Sequence, residues 1–249
     1  MRPAIEHKSR LARLCDVALA AALLLIAQDA RALDASPWER VLSRCAGQRG
    51  VNYAKLKADR DARGDLASFV HSIASMSSSE PLAAWLNAYN ALVVSSVVRR
   101  YPLRSVMDIP GFFNKERHRI AGERRTLDEI EHDIIRKRFR DARVHMALNC
   151  AARSCPPLHP HAFRQRTLQA TLDRLARNVV TSPRHVRIGP AQLAVSPVFF
   201  WFRKDFETEA SSLLAWLKRY ARSRLAGLPQ STPIVKGDYD WRLNDARGP

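Results

Sequence analysis

Apolar positions along this chain fall into short helical registers punctuated by Gly, Pro and Ser. Ser36-Pro37-Trp38-Glu39 has the form of a capping box with Pro at the first helical position, and predicts a helix to about Ala46. Gly47 and Gly50 end it, and Val51-Asn52-Tyr53 is predicted to be extended. Leu66, Phe69, Val70 and Ile73 recur at helical spacing and place a second helix over 65–76. The strongest element spans 81–100, PLAAWLNAYNALVVSSVVRR, where Leu82, Trp85, Leu86, Tyr89, Leu92, Val93 and Val97 form one apolar face. So apolar a helix is expected to be buried. Asn87 and Asn90 then share a buried face beside Trp85 and Tyr89, and buried amides need partners. Those four residues are candidates for lining a binding pocket.

Pro102 stops that helix, and Ser105 to Ile109 can form a single turn. Residues 117–121 and 124–125 flank Gly122-Glu123 as a hairpin would, and Thr126-x-x-Glu129 is a second capping box opening a helix to about Arg138. In Val144 to Asn149, VHMALN, apolar and polar residues alternate, which predicts a strand with His145 and Asn149 on one face. The strand would deliver the chain into Cys150-Ala-Ala-Arg-Ser-Cys155-Pro-Pro, a stiff loop, since adjacent prolines bar a continuing helix or central strand. Beyond it come a helix at 166–180, a hairpin at 185–188 and 192–195, a helix after Ser196-Pro197, a helix at 208–223 and an extended end, PIVKGDYDWRLND. There is no internal repeat and no linker-like stretch. The expected fold is a mostly helical α+β domain packed on a small mixed or antiparallel sheet, over 33–249.

Residues 1–32 read differently. Arg2, His7, Lys8, Arg10 and Arg13 precede the apolar run VALAAALLLIA at 17–27 and the triplet Ala30-Arg31-Ala32, the layout of a secretory signal peptide cleaved after Ala32. The run is short for a membrane span. The expected location is therefore periplasmic or secreted. Three cysteines follow the signal, Cys45, Cys150 and Cys155, in a compartment that permits disulfides.

Composition, 46% hydrophobic and 26% charged in 249 residues, suits a globular chain. The 41 Lys and Arg against 24 Asp and Glu give a formal net charge of +17. No nucleic-acid motif accompanies that charge, so an anionic envelope surface or polymer is the partner class it suggests, and nucleic acid is not expected. Oligomeric state is not legible.

The segment from His145 to His161 concentrates the candidate chemistry: His145, Asn149, Cys150, Ser154, Cys155, His159 and His161. One reading is a nucleophilic thiol, Cys150 or Cys155, whose ionisation is favoured by an imidazole or by backbone amides. His145 and Asn149 would lie about 13 Å apart on a strand rising 3.3 Å per residue, so they do not by themselves form a pair, and His132 is a further candidate base. A second reading is a Cys150–Cys155 disulfide pinning the loop. A third is a metal held by H-x4-C-x4-C-x3-H-x-H, a spacing that fits no common zinc signature. The fourth is simple packing of small apolar cysteines.

Several stretches resemble the exported bacterial branch of the domain of unknown function 547 family. They are VNYAKLKADR at 51–60, WLNAYNALVV at 85–94, TLDEIEHDIIR at 126–136, VHMALNCAARSCPPL at 144–158, SPVFFWFRKDF at 196–206 and DYDWRLND at 238–245. The resemblance picks out Trp85, Asn87, Tyr89 and Asn90; Glu131 and His132; His145, Cys150, Cys155 and Pro156; and Trp201, Asp205, Asp238, Tyr239, Asp240 and Trp241. Phe200 stands before Trp201 where the family pattern implies an acid. By analogy the resemblance implies a thiol-hydrolase-like cleft.

The sequence thus supports two accounts. In one, Cys150 or Cys155 acts with His145 or His132 as base, while Trp85, Asn87, Tyr89, Asn90, Asn149 and Ser154 bind the substrate of a thiol-dependent hydrolase or acyl transferase. In the other, a non-catalytic envelope binding protein holds a small-molecule or polymer ligand over a structural Cys150–Cys155 disulfide. Neither account calls for a cofactor or a metal.

Overall fold

The computed structural model describes residues 33–47 and 50–247. The expected export signal lies outside them. In chain order the elements are α1 (Ser36–Cys45), β1 (Ala46–Gly47), β2 (Gly50–Val51), α2 (Tyr53–Ala58), α3 (Arg60–Ala74) and α4 (Leu82–Arg100). Next come β3 (His118–Ile120), β4 (Glu123–Arg125) and α5. Helix α5 runs from Leu127–Glu129 through a π-helical Ile130–Arg136 to Lys137–Phe139. The rest are α6 (Leu168–Thr181), β5 (Val186–Ile188), β6 (Leu193–Val195), α7 (Val198–Trp201), α8 (Arg203–Glu209), α9 (Leu213–Tyr220), α10 (Arg222–Leu225) and β7 (Ile234–Lys236). This is a mostly helical α+β domain, as expected. Its strands make three small sheets: the hairpins β1–β2 and β3–β4, and a mixed sheet in which β6 pairs antiparallel with β5 and parallel with β7. Among the described residues no helix is long and apolar enough to cross a membrane.

Helix α4 organises the fold. Sixteen of its 19 residues are buried, the outcome expected of a helix apolar on all sides. Around it α1, α2, α3 and α5 build the larger core, with Trp38, Phe69, Leu86 and Leu92 among its members. A second core joins Val179 and Val180 of α6 to the β5–β6 hairpin and to Phe199, Phe206, Trp216 and Leu217. Residues 142–148 run between the two. Val144, Ala147 and Leu148 pack into the first core, and Ala142 and Met146 into the second.

Four local expectations are corrected. The Ser36–Glu39 capping box does not form. Asp34 Oδ1 accepts the Ser36 N–H instead, while the Glu39 carboxylate is taken by the Ala162 N–H at 2.6 Å and His161 Nδ1 at 2.8 Å. Tyr53 is not extended: the Asn52 side chain accepts from the Lys55 N–H and starts α2. Helix α3 begins earlier than Leu66, because Asp59 caps it by accepting from the Ala62 N–H. The predicted strand at 144–149 is a tight helical turn over Ala142–Met146, capped by Asp141. Its alternation of apolar and polar residues does not mark the two faces of a sheet: Val144 and Met146 pack into different cores, and the adjacent Ala147 and Leu148 into the same one. By contrast, the capping box at Thr126 and Glu129 is present in full.

His185 and His118 are buried polar groups, each held at a pKa of about 4, chiefly because burial penalises the imidazolium. A folded pKa below the ordinary value near 6.5 means that the folded state binds fewer protons between the two values. Stability is therefore full above pH 6.5 and falls as the pH drops toward 4. Replacing His185 by Asn should flatten that slope by up to about 3 kcal/mol between pH 6.5 and 4, measured by urea unfolding at a series of pH values. An unchanged slope would contradict the assignment.

Candidate functional site

The site begins with a problem of backbone satisfaction. The chain at 147–149 crosses the interior with no neighbouring strand to pair it. Asn90, from the buried face of α4, supplies the missing partners: Nδ2 donates to the Ala147 carbonyl at 2.9 Å and Oδ1 accepts the Asn149 N–H at 2.9 Å. Asn87, one turn earlier, makes the same pair of bonds to Phe163, at 2.9 and 2.8 Å. Asn149 in turn donates to the Pro156 carbonyl at 3.0 Å and accepts from the Ala151 N–H and from Asn244 Nδ2. Asn244 Oδ1 receives the Tyr53 hydroxyl at 2.8 Å. These side-chain amides do for the loop what a sheet ladder would do.

So anchored, the chain bends sharply after Cys150. Ala151 sits at φ 60°, a left-handed conformation that costs a Cβ-bearing residue roughly 1–2 kcal/mol. Residues 152–154 then run antiparallel to the C-terminal segment. Ala152 bridges Leu243, the Arg153 N–H donates to the Arg242 carbonyl at 2.8 Å, and Ser154 bonds Asp240 through both its amide and its hydroxyl. That pairing brings Tyr239 over the bend, with its hydroxyl 3.1 Å from the Cys150 sulfur. A single glycine is obligatory nearby. A Cβ on Gly50, at φ 118°, would lie 2.0 Å from the Asn244 carbonyl oxygen.

The Cys150 sulfur opens into a cleft of about 530 Å³. Its walls are largely aromatic and aliphatic: Met107, Ile109, Phe112, Phe113, Trp201, Phe202 and Trp241. Trp201 stacks on Trp241 at 5.8 Å between ring centres, and each packs against Tyr239. Polar groups line the same cleft: Tyr89, Glu131, His132 and His145.

Cys150 and Cys155 are both free thiols, so the expected alternative of a disulfide does not describe this structure. They are unequal. Burial opposes ionisation of Cys150, but hydrogen bonds from the Cys155 thiol, the Tyr239 hydroxyl and the Ala152 amide outweigh it and bring its pKa below the ordinary thiol value. Burial, together with its bond to the Cys150 sulfur, pushes Cys155 well above that value. Cys150 is thus the more readily ionised sulfur of the pair. The Cys155 sulfur also accepts the Cys150 N–H at 2.8 Å.

Glu131 and His145 form the second half of the site. Glu131 is almost wholly enclosed, and burial raises its pKa to about 7; the Tyr89 hydroxyl donates to its Oε2 at 3.3 Å. His145 Nδ1 faces Glu131 Oε1 at 3.7 Å, while Nε2 meets Asp205 Oδ2 at 2.8 Å. Burial favours the neutral imidazole, so Nε2 carries the proton given to Asp205 and Nδ1 is left to face the acid. Although burial acts against the Asp205 anion, hydrogen bonds from His145 and Arg136 hold it far below the usual carboxylate range. Phe202 stacks on His145 at 3.9 Å and receives the Arg136 guanidinium on its ring at 4.9 Å.

Of the residues expected at the site, Cys150, Cys155, His145, His132 and Tyr89 line the cleft. His132 also bonds Arg136 at 2.8 Å through Nδ1. Asn87, Asn90 and Asn149 do not line it. They are at most 2% exposed and fully engaged with backbone, so they position the loop rather than touch a ligand. Ser154 is bound to Asp240, and Trp85 lines a separate, smaller cavity. The base pattern missed Glu131, Asp205 and Tyr239, although each lies in a motif of the resemblance. His159 and His161 turn away toward Glu39 and Phe163. Among the described residues no three His, Cys, Asp or Glu side chains gather as metal ligands.

Residues 73–180 match the family described as "Protein of unknown function, DUF547". The match takes in α4, α5 and the thiol loop. The similar-looking stretches at 51–60, 196–206 and 238–245 fall outside it. No curated protein and no solved structure matches the chain.

Two outcomes follow. Tyr239→Phe removes a hydrogen bond that favours ionisation of Cys150 and should slow its iodoacetamide labelling at pH 7 about fivefold, the effect of a hydrogen bond of about 1 kcal/mol; an unaltered rate would remove Tyr239 from the site. Asn90→Ala leaves a buried carbonyl and N–H unpaired and should cost about 2–4 kcal/mol of stability by chemical unfolding, far more than Asn52→Ala at the exposed cap of α2.

Proposed function

We propose that this protein is a thiol-dependent hydrolase or acyl transferase acting on an envelope substrate, with Cys150 as nucleophile and Glu131 as the proton-transfer group. The observation that supports this most directly is the pairing, in one cleft, of a thiolate-favouring cysteine with a carboxyl group near pKa 7. Perturbed titratable groups of complementary role in a concave site are a hallmark of catalysis.

The Cys150 sulfur attacks an acyl carbon and forms an S–C bond. The tetrahedral intermediate collapses with cleavage of the bond to the leaving oxygen or nitrogen, which takes a proton from Glu131. Water or an acceptor hydroxyl or amine then attacks the thioester and gives its proton to Glu131, and Cys150 leaves as thiolate. His145, locked by Asp205 and Phe202, keeps a neutral nitrogen facing Glu131, which favours a carboxyl group that can change its proton near neutrality. The same enclosure that raises Glu131 makes acylation depend on its protonated form.

The export pattern at 1–32 supports an envelope setting, as does the basic charge. Cys150→Ser should abolish a covalent acyl adduct detected by intact mass after exposure to an activated ester, whereas Cys155→Ser should retain it. Loss of the adduct in neither variant would overturn the assignment. Acylation by an amide or unactivated ester should decline above pH 7 as Glu131 ionises, and Glu131→Gln should lower the rate about 10²-fold and erase that decline.

A further inference from the structure

The loop that carries Cys150 has two sides, and the second side also lines a cavity. It encloses about 370 Å³ and shares Cys155 with the cleft. Its character is the reverse of the aromatic cleft. Three arginines line it, Arg153, Arg184 and Arg247, with Asp245 the one acidic residue among them. Leu158 and Pro157 give it an apolar floor.

The three arginines come from three separate parts of the chain; Arg184 and Arg247 are held through their guanidinium groups and Arg153 through its backbone. Arg153 follows the bend and is fixed by its backbone bond to Arg242. Arg184 precedes the β5–β6 hairpin, and its guanidinium donates to the Arg153 carbonyl. Arg247 lies over the Tyr101 ring at 5.4 Å. Its carboxylate neighbour, Asp245, sits at 3.5 Å and already accepts the Tyr101 hydroxyl at 2.6 Å. Asp240, an acid that feels the charge of Arg153, is clasped by Arg242 at 2.7 Å. Among the described residues neither Arg153 nor Arg184 makes an ion pair. Like charges gathered around one hollow repel each other, and a multivalent anion placed between them relieves the repulsion.

We propose that this hollow on the reverse of the thiol loop binds a phosphate-bearing ligand. A phosphate group offers two negative charges and several acceptor oxygens, which matches forked guanidinium donors approaching from different directions. The volume suits one or two phosphate groups. The proposal does not rest on the thiol chemistry, although the hollow shares Cys155 with the cleft, and it gives part of the basic charge a specific task.

Inorganic pyrophosphate titrated calorimetrically into the purified protein at low and at physiological ionic strength tests this. One equivalent should bind, more weakly as salt rises. The double variant Arg153→Glu/Arg184→Glu should lose at least tenfold in affinity. The charge-matched control Arg119→Glu/Arg187→Glu, whose side chains are exposed and outside the hollow, should bind as the parent does. Circular dichroism confirms that each variant is folded. Phosphatidylglycerol vesicles form a second arm. Vesicle binding that is lost with Arg153 and Arg184 but kept in the control assigns the site to a lipid phosphate, and pyrophosphate binding alone assigns it to a soluble one. Absence of binding in both arms, or equal loss in the two double variants, would overturn the site and leave only a diffuse basic surface.

Discussion

The amide of Asn90 bonded to the backbone on both sides of Leu148 is the constraint on which the site depends. A polypeptide passing between two apolar cores must satisfy each N–H and C=O or incur a cost of a few kcal/mol per group. Here no strand is adjacent, and α4 provides the partners from its side chains. Asn149 and Asn244 extend the arrangement to the far side of the bend. Because these residues are nearly inaccessible, they cannot adjust by exchanging with water, and the bend after Cys150 inherits their rigidity. The left-handed Ala151 is tolerated on those terms.

The placement of charge around the cleft follows a similar logic. Arg136 and Asp205 form a partly exposed pair at 2.7 Å, and His145 completes it from the buried side. With that pair closed on itself, the enclosed Glu131 has no cation of its own and is pushed toward neutrality. On the opposite side of the sulfur, Tyr239 stays a neutral phenol, since burial and the nearby thiols disfavour its anion. Of the two loop sulfurs, Cys150 is the one helped toward a negative charge. The electrostatic content of the site is a sulfur of lowered pKa between a phenol held neutral and a carboxyl group that titrates near pH 7.

The sequence carried most of the helices, and both outer hairpins came through at the predicted positions, because they depend on local signals: the period of apolar residues, the Thr126–Glu129 cap and the Gly-centred turns. The segment at 144–149 failed for a physical reason. Here every residue from Val144 to Asn149 is buried, the polar His145 and Asn149 included, so the apolar–polar alternation does not separate a core face from a solvent face as it would on a strand. The two asparagines of α4 were recognisable as buried amides needing partners. That the partners were backbone groups of a distant segment, and not a ligand, is a tertiary fact. Cys150, His145 and Tyr89 were legible as candidates from their neighbours in sequence, but Tyr239 reaches the cleft from 89 residues beyond Cys150, and Asp205 reaches His145 from 60 residues beyond it. Only the resemblance marked them. The Arg-lined hollow had no local signature, since its three arginines are scattered among many others.

The inequality of the two loop sulfurs is the central claim, and it can be read without any substrate. Protein labelled with 13C at the cysteine Cβ, titrated by NMR from pH 5 to 9.5, reports each sulfur separately, with Cys150→Ser and Cys155→Ser giving the assignments. The account predicts that the Cys150 resonance titrates below the ordinary thiol range while that of Cys155 stays constant throughout. Two sulfurs titrating together at ordinary values, or Cys155 ionising first, would contradict it.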